Sequence, residues 1–167
     1  FNSFLIGFIV ALAASIVAII LSLGSFKSSN RIIFNLSTIG YAIPGSVLAV
    51  SLLLVFSFYF GLSITVFGIW GLFLCLLIRF ITPLIRYLDA ALSSITEETL
   101  SATRIYSKSL LKTFRSIYFP ALYPSVLLGF LVVFIEVIKE QPATLLLRPV
   151  GFDTLSSKIY NFTSEGQ

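Results

Sequence analysis

Glu136, Lys139 and Glu140 stand within five positions near the end of an apolar run. At i, i+3 and i+4 they share one face of a helix. Two readings of such a cluster stay open. It is an interfacial salt-bridge group marking where a membrane ends, or it lines an exit or gate for a substrate. Arg148 and Asp153 follow in a polar loop, where they pack locally or touch a partner. A second charged pattern is formed by Arg104, Lys108, Lys112 and Arg115, spaced four, four and three apart. On one continuous helix these four make a single basic stripe. Leu110, Leu111, Phe114, Ile117 and Tyr118 supply an apolar face at helical spacing. Thr96 before Glu97 and Glu98 reads as a helix start, with acids at the positive end of the macrodipole. Pro120 stops the pattern. The stretch is predicted to be one or two short amphipathic helices. They either lie on anionic lipid or dock a cytoplasmic partner.

Other chemistries are absent from the residue inventory. There is no histidine, which removes His-based triads, His-ligated zinc and histidine pH switches. The single cysteine, Cys75, sits in an apolar run, so neither a disulfide framework nor a cysteine metal cluster is expected. Packing is its expected role. No Gly-Lys dipeptide occurs, so there is no Walker A loop and no ATP hydrolysis by that route. No catalytic residue, metal site or cofactor is expected, and the chain is not read as an enzyme.

The elements that position these residues are set by composition. Of 167 residues, 57% are hydrophobic and 11% charged, less than half the charged share of an average soluble domain. The surface must meet a lipid bilayer. Methionine is absent, which reads as a fragment of a longer protein. Four spans are predicted: Phe4 to Leu23, about Ile39 to Phe60, about Ile64 to Ile81, and Tyr123 or Pro124 to Ile138. Pro44-Gly45 is read as a helix start rather than a hinge. Pro83 leaves the third boundary soft, and Gln141-Pro142 ends the fourth helix. The long polar stretch is 86–119. The fold class is therefore all-α, a polytopic transmembrane bundle in one truncated domain covering 1–167.

Loop charges set an orientation. The side holding the 24–38 link and the 86–119 segment carries eight Lys and Arg, with Arg79 counted as a snorkelling anchor at the inner end of the third helix. The other side carries Lys139, Arg148 and Lys158. Eight against three places 86–119 in the cytoplasm and the tail outside. The net charge of +4 is then a topology signal, and no nucleic-acid partner is expected.

The stretch from Ser101 to Pro120 resembles the coupling loop of ABC-transporter permeases. The pattern there is Glu-Ala-Ala, three residues, Gly, nine residues, then Ile-x-Leu-Pro. Ala102, Ile117 and Pro120 match it outright. Ser101 stands at the Glu position with Glu98 one turn earlier, Thr103 at the second Ala, Ser107 at the Gly and Phe119 at the Leu. GYAIPGSVLAV, from Gly40 to Val50, resembles the start of a core helix in the ferric-iron branch of that family. EVIKEQPATLLLRPVGFDTLSSKIY, from Glu136 to Tyr160, is similar to its extracytoplasmic segment.

The resemblance implies a multi-pass permease of the bacterial inner membrane. It implies most of one of two homologous halves, with a fifth span beyond the C-terminus. The partners implied are a dimeric cytoplasmic ATP-binding subunit, an extracytoplasmic substrate-binding protein and a second permease half or subunit. The ATPase contact would fall on Glu98, Ser101, Ala102, Thr103, Arg104, Ser107, Lys108, Lys112, Ile117 and Pro120, and the cargo would be ferric iron. Glu136, Lys139, Glu140 and Arg148 are the candidates for the translocation path. The competing class is an ion-coupled secondary transporter or channel. Such carriers place acids near the midplane, and the first two predicted spans have none.

Overall fold

An uncharged run in lipid has no solvent for its N–H and C=O groups, and a helix pairs them within one segment. The computed structural model describes residues 1–26, 35, 37, 39–61, 64–96, 98 and 110–166, and among them there is helix and no strand. The protein is an all-α, polytopic helix bundle. Helix α1 covers Asn2–Ser25, a 3-10 turn Ile39–Ala42, α2 Gly45–Phe60 and α3 Ile64–Ser93. Then come a single turn α4 (Leu110–Thr113), a π-helical turn Phe114–Tyr118, α5 (Phe119–Lys139), α6 (Pro142–Leu147) and α7 (Leu155–Ser164).

Helices α1, α3 and α5 build the core. Val10, Ala11, Ala14 and Ala18 on α1, Leu72, Leu76, Leu84, Ile85 and Leu88 on α3, and Val133 on α5 are fully or almost fully buried. The small residues on α1 let its neighbours approach closely, which is how helices gain contact where lipid removes the hydrophobic drive. α1 runs antiparallel to α5. Phe4 meets Phe134 edge-on at 5.3 Å and Phe8 meets Phe130 at 5.6 Å, while at the other end Phe26 meets Tyr118 at 6.1 Å. The outward faces stay apolar, with Leu12, Ile16 and Ile20 on α1 and Leu127, Leu131 and Ile135 on α5 all exposed. Among the described residues three stretches are long and apolar enough to cross a membrane: Asn2–Ser25, Phe67–Ser93 and Phe114–Lys139.

Three boundaries differ from the sequence reading. The second expected span is divided. Pro44 fixes its own φ and pushes the residue before it toward extended geometry, so the turn at Ile39–Ala42 ends before α2 begins at Gly45. At 16 residues, or about 24 Å, α2 is shorter than the roughly 30 Å hydrocarbon core. The third helix runs through Pro83 to Ser93, carrying Arg86 and Asp89 with it. Packing of Leu84, Ile85 and Leu88 holds it together where the proline weakens it. Finally, Pro120 does not stop its helix. The wide π turn before it, closed by the Phe119 N–H donating to the Phe114 carbonyl, displaces the carbonyl that the proline ring would otherwise strike.

The Asn2 end of the bundle is stitched to the C-terminal segment. Asn2 Nδ2 donates to the Asp153 carbonyl at 3.1 Å, and the Leu155 N–H donates to Ser3 Oγ at 2.5 Å. Thr154 caps α7, accepting from the Ser157 N–H while Ser157 Oγ accepts from the Thr154 N–H. Replacing Thr154 with Ala is expected to cost about 1 kcal/mol, the usual value of an N-cap. Amide exchange of residues 155–160 should rise about fivefold for that loss. Unchanged exchange there would show that the cap contributes nothing.

Candidate functional site

Of the three charged residues predicted to share one helical face, Glu136 and Lys139 do and Glu140 does not. α5 ends at Lys139, and Glu140 takes an extended conformation with φ −66° and ψ 117°. This turns its side chain away from Glu136. Glu136 and Lys139 pair with each other at 2.7 Å on the exposed surface. Glu140 points inward and accepts from Arg79 Nη1 at 2.5 Å.

Arg79 is thus not a snorkelling anchor at a helix end. It lies halfway along α3, and a cation at that depth needs a partner. The Glu140 side chain is 8% exposed and that of Arg79 21%. The guanidinium carbon lies 5.2 Å from the centre of the Phe80 ring, within cation–π range. Arg79 Nε is buried with no hydrogen-bond partner. The other oxygen contact of the pair is weak, with the Ala143 N–H reaching Glu140 Oε1 at 3.4 Å.

Three elements meet at this pair. α3 supplies Arg79, the α5–α6 junction supplies Glu140, and the first residue of α2 lies against both. A Cβ on Gly45 would fall 1.9 Å from Arg79 Nη1 and 2.3 Å from Glu140 Oε1. Only a glycine lets the α2 backbone come this close. Gly40 plays a similar part against the backbone of Ile78, and Thr82 Oγ1 donates to the Ser37 carbonyl at 3.1 Å. The Glu140 main chain is tied too, its carbonyl accepting from Thr144 Oγ1 and from Ser156 Oγ, each at 2.9 Å. Arg148 packs locally, paired with Asp153 and donating to Ser157 Oγ at 3.0 Å.

Of the predicted ATPase contacts, Ser101, Ala102, Thr103, Arg104, Ser107 and Lys108 lie outside the described residues. Glu98 is helical and exposed; Lys112 and Pro120 are exposed; Ile117 is half-buried. Lys112 and Arg115 sit in the continuous helical run that leads into α5, with Tyr118 turned onto Phe26 of α1. Among the described residues no group of three or more His, Cys, Asp or Glu is placed to hold a metal ion.

Sequence reasoning missed the Arg79–Glu140 pair, whose members are 61 positions apart. The available signal was an arginine inside an apolar run, which demands an acid from another element. The described residues form an apolar helix bundle with a charge pair, Arg79–Glu140, buried where three elements meet. Residues 4–167 match the family described as "Binding-protein-dependent transport system inner membrane component", and the chain belongs to it. It is 28% identical over 171 residues to the "Fe(3+)-transport system permease protein FbpB 2" of Haemophilus influenzae, an alignment covering 99% of this chain and 33% of that protein. The chain therefore spans about a third of the length of the curated relative it matches.

Proposed function

We propose that this chain is part of the membrane-spanning permease of an ATP-driven importer, with ferric iron delivered by an extracytoplasmic binding protein as its cargo. The observation that carries the reading is the family match along almost the whole chain, supported for iron by the Haemophilus relative. These 167 residues hold no Walker A loop, and in this reading ATP is hydrolysed by a partner subunit. It docks on the segment from Glu98 to Pro120 at the cytoplasmic side. Closure of the ATPase dimer on ATP moves this segment as a rigid body, and the helices rock between inward-facing and outward-facing arrangements. The continuous helix from Leu110 through Lys139 supports this route, because a push at Lys112 reaches α5 without crossing a loop.

The test is co-purification of the full-length protein with its ATPase, followed by ATP-dependent iron uptake in proteoliposomes. Charge reversal at Lys108 and Lys112 together is expected to uncouple ATP hydrolysis from uptake while the bundle stays folded. Unchanged uptake in that double variant would remove the docking role. A second reading, an ion-coupled carrier, is favoured by one observation, the buried charge pair at Arg79 and Glu140. Uptake driven by an ion gradient without nucleotide would select it.

A further inference from the structure

A buried ion pair is stable when each charge is fully hydrogen-bonded, and half-satisfied pairs are the ones that break. The Arg79–Glu140 pair is of the second kind. It is held by one short contact through Nη1, while the buried Nε is unspent. The backbone beneath it is weakened at the same turn. Pro83 has no N–H to give to the carbonyl four residues earlier, which is that of Arg79. Helices bend at such positions. The pair also joins separate parts of the molecule. Glu140 is bound through its carbonyl to α6 and α7, Arg79 belongs to α3, and Gly45 brings the start of α2 onto both side chains.

We propose that Arg79 and Glu140 form a latch that opens and closes during transport, with Gly45 as its seat and the Arg79–Pro83 turn of α3 as its hinge. In this structure the latch is closed. Opening it loosens Glu140 and the start of α6 from the middle of α3, while Leu147 and Pro149 stay seated at Gly68, and lets α3 bend away from α2. A signal arriving at the α6–α7 surface thereby reaches the middle of the bundle. Arg79 and Glu140 act as positioning residues. The inference rests on the permease reading and adds a specific moving contact to it.

Cys75 is the built-in reporter. It lies one turn before Arg79 on the same face of α3, is fully buried, and is within electrostatic range of both charges. The experiment uses the full-length permease with its ATPase and binding protein in proteoliposomes, Cys75 being the only cysteine retained. The rate of alkylation by N-ethylmaleimide is read without nucleotide and in the vanadate-trapped state with the binding protein present. Alkylation is expected to be about tenfold or more faster in one of the two states, within the usual range of allosteric coupling. Glu140→Gln should raise the slower rate toward the faster one. The charge-swapped pair, Arg79→Glu with Glu140→Arg, should return it toward the wild-type value, which a general loss of packing would not do.

Equal rates in the two states of the wild type would overturn the latch, and that comparison needs no substitution. A Glu140→Gln protein alkylated at the wild-type rate in both states would do the same. ATP-dependent uptake is measured on the same vesicles. Uptake with equal alkylation rates sinks the latch and leaves the permease. Absence of uptake by the wild type removes the permease reading and the latch with it.

Discussion

Arg79→Ala is expected to lower the unfolding free energy of the protein by about 3–5 kcal/mol, the range for removing one member of a buried ion pair. The size of the loss comes from what is left behind. The Thr144 and Ser156 hydroxyls donate to the Glu140 carbonyl and hold its main chain in place, which keeps the carboxylate near its buried position. With its side chain 8% exposed and only the long Ala143 contact remaining, it is an uncompensated buried charge. Glu140→Ala should cost less. The stranded arginine is more exposed, at 21%, and its long stem lets the guanidinium move toward a polar boundary. Replacing both residues with Met should recover most of the loss, since an apolar pair of similar volume carries no desolvation penalty. Equilibrium unfolding of the full-length protein in detergent measures all four forms. Equal destabilisation by the single and double changes would show that the pair acts through packing volume and not through charge.

That pair also marks where sequence reading reached its limit. The transmembrane elements were legible because a charge-free apolar run in lipid has one solution, and α1 at Asn2–Ser25 departs from the expected Phe4–Leu23 only at its ends. The end of α5 was legible too, because Gln141-Pro142 cannot continue a helix. Depth and pairing were not. Sequence places Arg79 near the end of a helix if Pro83 is a boundary, and at its middle if the helix continues. The choice is made by the packing of Leu84, Ile85 and Leu88 against α1 and α5, a tertiary effect with no local signature. Pro120 misled for a related reason. A π turn absorbed it, and no residue type announces a π turn. Glu140 was named as a candidate from its spacing with Glu136 and Lys139, yet its position depends on a partner in another helix. The face assigned to it differs from the one it takes, because the helix ends one residue earlier.

Gly40→Val has the second large effect expected here. The GYAIPG motif contains two glycines that face different kinds of neighbour. At Gly45 a Cβ would meet the ends of two flexible side chains, and rotation relieves the crowding at the cost of the ion pair. At Gly40 it would meet backbone. The nearest atoms are the Ile78 carbonyl oxygen at 2.3 Å, Ile78 Cγ2 at 3.0 Å and the Ile78 carbonyl carbon at 3.1 Å. In the closed arrangement α3 packs against its neighbours at this level, with Leu76 and Phe80 buried, so it is the turn Ile39–Ala42 that must move. Moving it pulls on Pro44 and shifts the α2 start that seats Arg79 and Glu140. Overpacking of this kind costs about 1–3 kcal/mol, with valine at the upper end because its branch adds volume where even one atom does not fit. Gly24→Ala is the control, since among the described residues nothing lies within 4 Å of the added Cβ and alanine is the better helix former. Urea unfolding of the full-length protein in detergent, read beside uptake, should place Gly40→Val well below the control in both. If the two variants unfold together, the Ile39–Ala42 turn is not seated on Ile78, and the close approach that explains the motif is wrong.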